Sequence, residues 1–188
     1  YPLKTPKLHW NFQSGASVNF AQLGNDEDCL SWQGSQVTMI GFDELTHFSE
    51  YQFFYMLSRN RTDSGVAPYV RATCNPDADS WVAEFIKWWI DPDTGYPIPE
   101  RSGKVRWMVR LNEAIYWFDT RQEAIDAAIE NGMDYEKAVI MAKSVTFIAS
   151  TLQDNKILMK NDPGYMANLM ALALVERERL LYGNWKIK

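Results

Sequence analysis

Short apolar runs separated by polar turns dominate the first part of the chain. Residues 37–42 are mostly apolar, and a run of this length predicts a strand buried on both faces, as in a parallel sheet. Residues 69–72 predict a second buried strand, which Pro76 stops. Between them, Ser49 and Gln52 have the spacing of a capping box, which predicts a helix from Glu50 to about Arg59. A strand, a helix and a strand in this order predict a right-handed crossover with the two strands parallel.

Two stretches of the chain predict β-hairpins. Residues 8–12 and 17–23 flank a Ser-Gly turn, and residues 104–110 and 114–118 flank Leu111-Asn112-Glu113. In the second hairpin, alternation divides the first strand into an apolar face and a basic face. With Arg101 nearby, the basic face is a candidate for contact with DNA or a partner, although a solvated antiparallel face explains it equally well. Its residues are Lys104, Arg106, Met108 and Arg110.

Helical periodicity and capping signals dominate the second half. They predict a helix from Trp81 to about Ile90, a helix after Thr120 that ends at Asn131-Gly132, and a short helix over 135–141. Residues 144–149 predict a strand that returns to the sheet, and the last predicted helix starts at Asp162-Pro163 and runs to about Leu181. The charged residues near its end are mixed in sign, which indicates a solvated surface. The elements together predict an α/β fold: a mostly parallel sheet flanked by helices, with an appended β-hairpin and a helical linker subdomain.

Composition narrows the class of protein. The chain has 188 residues, of which 46% are hydrophobic and 23% charged, as expected for a soluble globular protein with a real core. No run reaches the length of a membrane helix, and no signal peptide precedes the first strand. The two cysteines lack the spacing of a metal site, so a reducing cytoplasm is expected. A net charge of −5 argues against a surface built chiefly to bind nucleic acid, so any DNA contact must be local.

The candidate chemistry lies where the predicted parallel strands end. Asp43 and Glu44 follow the first strand, and Thr73 and Asn75 follow the second, so all four are expected at one sheet edge. One carboxylate can hold a magnesium ion that bridges phosphates, the other can orient or deprotonate water, and an asparagine can contact a γ-phosphate. This is the Walker B pattern. The alternatives are an exposed helix-capping pair for Asp43-Glu44 and a plain strand-ending turn for Asn75-Pro76.

Arginines follow the first predicted helix. Arg59 and Arg61 are candidates for contact with a nucleotide phosphate or with the site of a neighbouring subunit, and Arg71 is a third candidate for the latter role. The alternative is a solvated helix end, where positive charge is favourable.

Several motifs in order resemble the large terminase subunit of tailed phages. The resemblance rests on Met39-Ile40-Gly41-Phe42-Asp43-Glu44-Leu45-Thr46, Leu57-Ser58-Arg59-Asn60-Arg61, and Arg71-Ala72-Thr73-Cys74-Asn75-Pro76. It continues through Trp81 with Phe85-Ile86, Phe147-Ile148-Ala149 with Leu152-Gln153-Asp154-Asn155, and Leu181-Tyr182-Gly183-Asn184-Trp185. Nearly the whole chain is covered.

The resemblance implies an ATP-driven motor that threads viral DNA into a procapsid, with a P-loop NTPase fold of the additional-strand, catalytic-glutamate type. It makes Asp43 the magnesium ligand and Glu44 the catalytic carboxylate. Thr73-Cys74-Asn75 match the coupling motif, which makes Thr73 and Asn75 further catalytic candidates. ATP and Mg²⁺ are the implied cofactors. The implied partners are double-stranded DNA, the portal protein, the small terminase subunit and further copies in a ring, in the host bacterial cytoplasm and without a membrane.

One motif of that family is missing from the chain. The phosphate-binding loop has the form G-x-x-x-x-G-K-[ST], whereas the only Gly-Lys pair, Gly103-Lys104, is followed by valine. We therefore expect an internal piece of the ATPase region, inactive in isolation. Residues 1–90 would be the second half of the ATPase core, 91–143 an insertion and 144–188 a returning strand and helical linker. Two other functions stay open: a helicase-like motor ATPase, and a non-catalytic module that binds DNA or a partner.

Overall fold

The computed structural model describes residues 8–188, which divide into two compact units between Cys74 and Asn75. Pro2 and Pro6 predict an extended lead-in over residues 1–7, which lies outside the described residues. The three-part division at residues 90 and 143 stays a prediction.

The first unit begins with a two-stranded ribbon. Strands β1 (His9–Asn11) and β2 (Ser17–Asn19) pair antiparallel around a turn at Gly15, as predicted. The ribbon carries several large apolar side chains, all exposed, and Trp10 and Phe20 meet edge to face at 5.8 Å. These side chains are Leu8, Trp10, Phe12, Val18 and Phe20. No Asp, Glu, Lys or Arg occurs between residues 8 and 23, so the ribbon has a surface of low charge.

The centre of the first unit is a parallel pair of strands joined by a helix. Strand β3 (Met39–Phe42) pairs in parallel with β4 (Tyr69–Ala72), which confirms the predicted parallel pairing. Helix α1 (Glu50–Leu57) begins with the predicted capping box of Ser49 and Gln52. Before β3, a 3-10 helix (Asp26–Trp32) begins in an acidic stretch, Asp26-Glu27-Asp28, with a capping box of its own. The predicted strand–helix–strand unit is therefore present.

The predictions that the first strand is buried on both faces and that the second strand is buried are wrong. Ile40 and Phe42 of β3 are buried, and Phe42 packs against Phe48 and Phe53. Met39, in the same strand, is 43% exposed. No residue of β4 is buried. The pair forms a sheet of only two strands, and the alternating burial of β3 shows that only one of its faces is covered.

The second unit is built on a three-stranded antiparallel sheet. Strands β5 (Val105–Leu111) and β6 (Ala114–Phe118) form the predicted hairpin, and β7 (Lys143–Thr146) pairs with the other edge of β5. The strand predicted over 144–149 thus joins the hairpin rather than the parallel sheet. Helices α3 (Arg121–Glu130) and α4 (Tyr135–Met141) form a small core with β5. Its buried members are Val109, Leu111, Ala124, Ile125, Ala128, Ala138 and Ala142.

Aromatic residues pack against another part of the hairpin. Helix α2 (Trp81–Phe85) is followed by a 3-10 helix (Lys87–Trp89), whereas the sequence predicts one helix to Ile90. Trp117 packs against Phe85 at 5.1 Å and Trp89 at 5.7 Å. Met108, predicted on the basic face and paired with Trp117 across the ladder, is buried.

Arg106 of the predicted basic face is also covered. Its guanidinium lies 4.9 Å from the ring centre of Trp88, 3.1 Å from the Asp119 carboxylate, and its side chain is 13% exposed. Arg101 lies 4.7 Å from the same indole. The face is thus an internal packing surface over part of its length, and a cation contacts an indole face more strongly where the pair is shielded from water.

The long helix predicted from residue 162 is wrong. The chain instead forms three short helices after a 3-10 helix (Leu152–Asp154): α5 (Lys156–Asn161), α6 (Gly164–Met170) and α7 (Leu174–Leu180). The segment after α7, residues 181–188, is called the tail. Leu181, Asn184 and Trp185 of the tail are buried.

The architecture is a mixed α/β fold with small sheets. Among the described strands, only β3 and β4 pair in parallel, and the ribbon and the three-stranded sheet are antiparallel. The prediction of a mostly parallel sheet is therefore correct only for the part that carries the candidate site. Within residues 8–188, no helix has the length and apolar character needed to cross a membrane.

Candidate functional site

The Asp43-Glu44 pair lies at the carboxyl end of the parallel strands. The β3–β4 ladder continues past the strand ends, because the Thr73 amide donates to the Phe42 carbonyl at 2.9 Å and the Leu45 amide donates to the Thr73 carbonyl at 2.8 Å. This ladder brings Thr73 beside the pair, as predicted from the end positions of the two strands. The carboxyl end of a parallel sheet is where α/β proteins place their ligands.

The Thr73 hydroxyl joins the two acidic residues. It donates a hydrogen bond to Oδ1 of Asp43 at 2.6 Å and accepts one from the Glu44 amide at 3.4 Å. A carboxylate that accepts a short hydrogen bond of this kind is held in one orientation. Asp43 is exposed, so the carboxylate keeps acceptor capacity that a cation or a water molecule can use.

Glu44 has a left-handed backbone conformation. Its φ is 55° and its ψ is 59°, and it precedes a 3-10 helix at Leu45–His47. A non-glycine residue in this region costs about 1–2 kcal/mol, because its Cβ approaches the following carbonyl. Strain of this kind occurs at functional sites that the surrounding structure over-determines. Here the ladder on both sides of Glu44 supplies that constraint.

Cys74 has an unreactive thiol beside the site. Burial raises the pKa of Cys74 to about 11, and the negative charge of Glu44 adds to the shift. A thiol with this pKa is protonated at neutral pH and is a poor nucleophile.

Arg59 and Arg61 lie towards the other end of the strands. The Arg59 carbonyl accepts from the Val37 amide at 3.0 Å, and Arg61 donates to the Gly34 carbonyl at 3.4 Å. Val37 and Asp43 lie on either side of β3, separated by roughly 20 Å of extended chain. The Arg59 guanidinium also lies 5.3 Å from the Tyr55 ring centre. These contacts place the two arginines away from the acidic pair of the same chain.

Asn60, between these arginines, is a structural residue whose role the sequence does not predict. Its side-chain amide donates to the carbonyls of Val37, Thr38 and Tyr69 at distances of 2.9 Å, 3.0 Å and 3.2 Å. It thereby ties together the amino ends of β3 and β4. An asparagine between two arginines carries no local signal of this role.

Asn75 is the first residue of the second unit. It precedes Pro76, which is buried and whose carbonyl accepts a hydrogen bond from Arg179 at 2.7 Å. Arg179 was predicted to belong to a solvated, mixed-charge surface, and the structure instead gives it a contact 103 residues away in the chain. No sequence signal at either residue predicts such a contact.

The residues at the acidic pair could supply part of a metal site. Within residues 8–188, no three His, Cys, Asp or Glu side chains converge to hold a metal ion by themselves. Magnesium in nucleotide sites needs fewer protein ligands, because phosphates and waters supply most of its oxygens. One exposed carboxylate beside a threonine hydroxyl matches that donor set.

Comparison with known proteins gives one match. A family model described as "Terminase large subunit, T4likevirus-type, N-terminal" matches residues 2–188. No curated protein and no solved structure gave a match. Because the family model spans nearly all of the 188 residues, the chain belongs to the T4-like-virus-type family of terminase large subunit N-terminal regions.

Proposed function

We propose that this chain is part of an ATP-hydrolysing motor that moves viral DNA into procapsids. The observation that carries the proposal is the cluster of Asp43, Glu44 and Thr73 at the carboxyl end of two parallel strands, in a chain of the terminase family. A DNA-packaging role follows the family, and the chemistry assigned below rests on this cluster.

Asp43 would hold Mg²⁺, and the Thr73 hydroxyl fixes the orientation of that carboxylate. An ion held there would supply positive charge to the phosphates of ATP. Glu44 orients the attacking water and accepts its proton, a role that needs a carboxylate held within hydrogen-bond reach of the nucleophile. Asn75 contacts the γ-phosphate through its side-chain amide, which can act as donor and as acceptor.

Arg59 and Arg61 serve a nucleotide bound by a neighbouring copy. Because their contacts lie near the amino ends of β3 and β4, a role in a neighbour's site is better supported than contact with the nucleotide of the same chain. A role in a neighbour's site requires that copies assemble in a ring. Double-stranded DNA, the portal protein and the small terminase subunit are the further partners, in the host cytoplasm.

The test compares ATP turnover of the complete gene product with that of three variants. We expect Glu44→Gln to lower kcat by roughly 10²–10⁴-fold without weakening ATP binding, because it removes the general base and keeps the side-chain shape. Asp43→Asn should raise the Mg²⁺ concentration needed for half-maximal activity. The control is Glu50→Gln, an equal charge change at the exposed start of α1, which should leave kcat unchanged.

Two outcomes would count against the proposal. Full activity of Glu44→Gln would exclude its role as the base, and an inactive wild-type protein would favour a non-catalytic binding module. For the 188-residue chain alone, we expect no ATP binding by calorimetry, because the chain contains no phosphate-binding loop motif.

A further inference from the structure

The segment that follows Asn75 is anchored by the end of the chain. Nε of Arg179 donates to the Pro76 carbonyl at 2.7 Å, and a terminal nitrogen of the same guanidinium lies 3.7 Å from the Asp77 carboxylate. Lys188 forms an ion pair with Asp79. These three contacts hold residues 76–79 against α7 and the tail.

Arg179, which makes two of these contacts, lies on a helix that is itself held by other contacts. It lies in α7, two residues before the buried Leu181, and its side chain is 33% exposed. Glu178, its neighbour, accepts a hydrogen bond from the Tyr96 hydroxyl. Helix α7 is therefore fixed by contacts on both sides of Arg179, so the backbone that carries the guanidinium is held in place.

A fixed Pro76 restricts where Asn75 can be. The proline ring fixes φ of Pro76 near −65°, and its Cδ atom confines Asn75 to extended backbone conformations. Once Arg179 holds the Pro76 carbonyl, few free dihedral angles separate that anchor from the Asn75 Cα. The position of the Asn75 Cα, from which its side chain starts, therefore depends on the Arg179 contact.

We propose that Arg179 is a positioning residue that sets the location of Asn75 through the Pro76 carbonyl. The proposal rests on the proposed function only for the effect on catalysis, because the geometry itself involves no nucleotide. A guanidinium suits the task, since its fork of donors can satisfy a carbonyl and a carboxylate at once.

The first experiment tests the geometry in the 188-residue chain. We expect Arg179→Ala to shift and broaden the NMR signals of the Asn75 backbone and side-chain amides, while Arg179→Lys gives a smaller change. The control is Arg177→Ala on the same helix, since Arg177 instead donates to the Met170 carbonyl at 3.4 Å. Unchanged Asn75 signals in Arg179→Ala would overturn the inference, whether or not the chain is part of an ATPase.

The second experiment measures ATP turnover in the complete gene product. Arg179→Ala should lower kcat roughly tenfold and change KM less, because a displaced Asn75 fails to engage the reacting phosphate. Arg179→Lys should restore part of kcat, and the thermal midpoints of both variants are measured to exclude loss of folding. Wild-type kcat in Arg179→Ala would refute the positioning role, whereas absent turnover in the wild type would refute the proposed function and leave the NMR result to decide on the geometry.

Discussion

At the scale of single residues, one hydroxyl organises the candidate site. Thr73 bonds to the Asp43 carboxylate and to the Glu44 amide, so a single side chain fixes a charge and a strained peptide together. Serine could form both bonds, whereas valine has the same shape and could form neither. The position of Thr73 at the sheet edge was predictable because strand ends are readable from local patterns. Its hydroxyl contacts depend on a side-chain rotamer and could not be predicted.

The thiol of Cys74 should report the charge of Glu44. The pKa of the Cys74 thiol is about 11, and only the thiolate reacts with iodoacetamide. The rate of labelling should therefore keep rising with pH beyond about pH 9. Glu44→Gln removes a negative charge that raises this pKa, so labelling of Cys74 at about pH 8 should become faster. Peptide mass spectrometry separates Cys74 from the buried Cys29. Glu50→Gln is the charge-matched control, and equal rates in all three proteins would show that Glu44 is too distant to act.

At the scale of elements, the sequence predicted best the helix starts and turns that depend on only a few neighbouring residues. The capping boxes at Ser49 and Thr120 start helices where expected, because each needs only two side chains three positions apart. The β5–β6 hairpin was predicted from alternation and a polar turn for the same reason. A local pattern does not say what covers a face, however, and Arg106 on the basic face of β5 is covered by Trp88 from another element.

The break in the last predicted helix shows the limit of local reasoning. Residues 171–173 are Ala-Leu-Ala, which favour helix, so their sequence contains no stop signal. Helix α7 nevertheless starts anew at Leu174. Its orientation is tied to contacts of Glu178 with Tyr96 and of Arg179 with Pro76, both far away in the chain. Propensity is a weak preference that such tertiary contacts override.

The hairpin turn offers a direct test of element stability. Asn112 and Glu113 both have positive φ, at 50° and 68°, the pattern of a type I′ turn. Asn-Gly suits this turn best, so Glu113→Gly should stabilise the protein by about 1 kcal/mol in urea unfolding, because it removes left-handed strain. The matched control is Glu136→Gly in α4, where glycine should instead cost about 0.5–1 kcal/mol. Destabilisation by Glu113→Gly would contradict the assigned turn.

At the scale of the whole molecule, the tail closes the second unit onto itself. The Trp185 amide donates to the Gly95 carbonyl at 2.8 Å, the Asn184 side chain donates to the Thr94 carbonyl at 3.1 Å, and the Lys186 ammonium bonds two further carbonyls of the same loop. Residues 91–99 include Pro92, Pro97 and Pro99, a composition that predicts a loop at this place. In the structure the tail binds to that loop, and the hydrogen bond from Asn184 to Thr94 joins residues 90 positions apart.

Gly95 is the position at which this closure can be tested. Its φ is +79°, and a Cβ there would overlap the Lys186 side chain and lie 2.6 Å from Oδ1 of Asn184. We expect Gly95→Ala to displace the tail, speed hydrogen exchange of the Trp185 amide, and cost more than about 2 kcal/mol of unfolding free energy.

Gly103→Ala is the matched control for this substitution. Gly103 has nearly the same φ, +77°, but a methyl group added there would enter open space, so its substitution measures backbone strain alone. That strain should cost about 1–2 kcal/mol. Equal costs for the two variants would mean that the tail tolerates the methyl group at position 95.

The left-handed backbone of Glu44 sets two demands on one position that no single amino acid satisfies. Folding alone favours glycine or asparagine there, since these residues adopt that conformation at least cost. The proton abstraction proposed for Glu44 favours glutamate. If Glu44 has that role, a lineage released from the need for turnover should drift at position 44 towards glycine or asparagine, gaining stability as it loses the base, and glutamate should persist there only while selection acts on the chemistry.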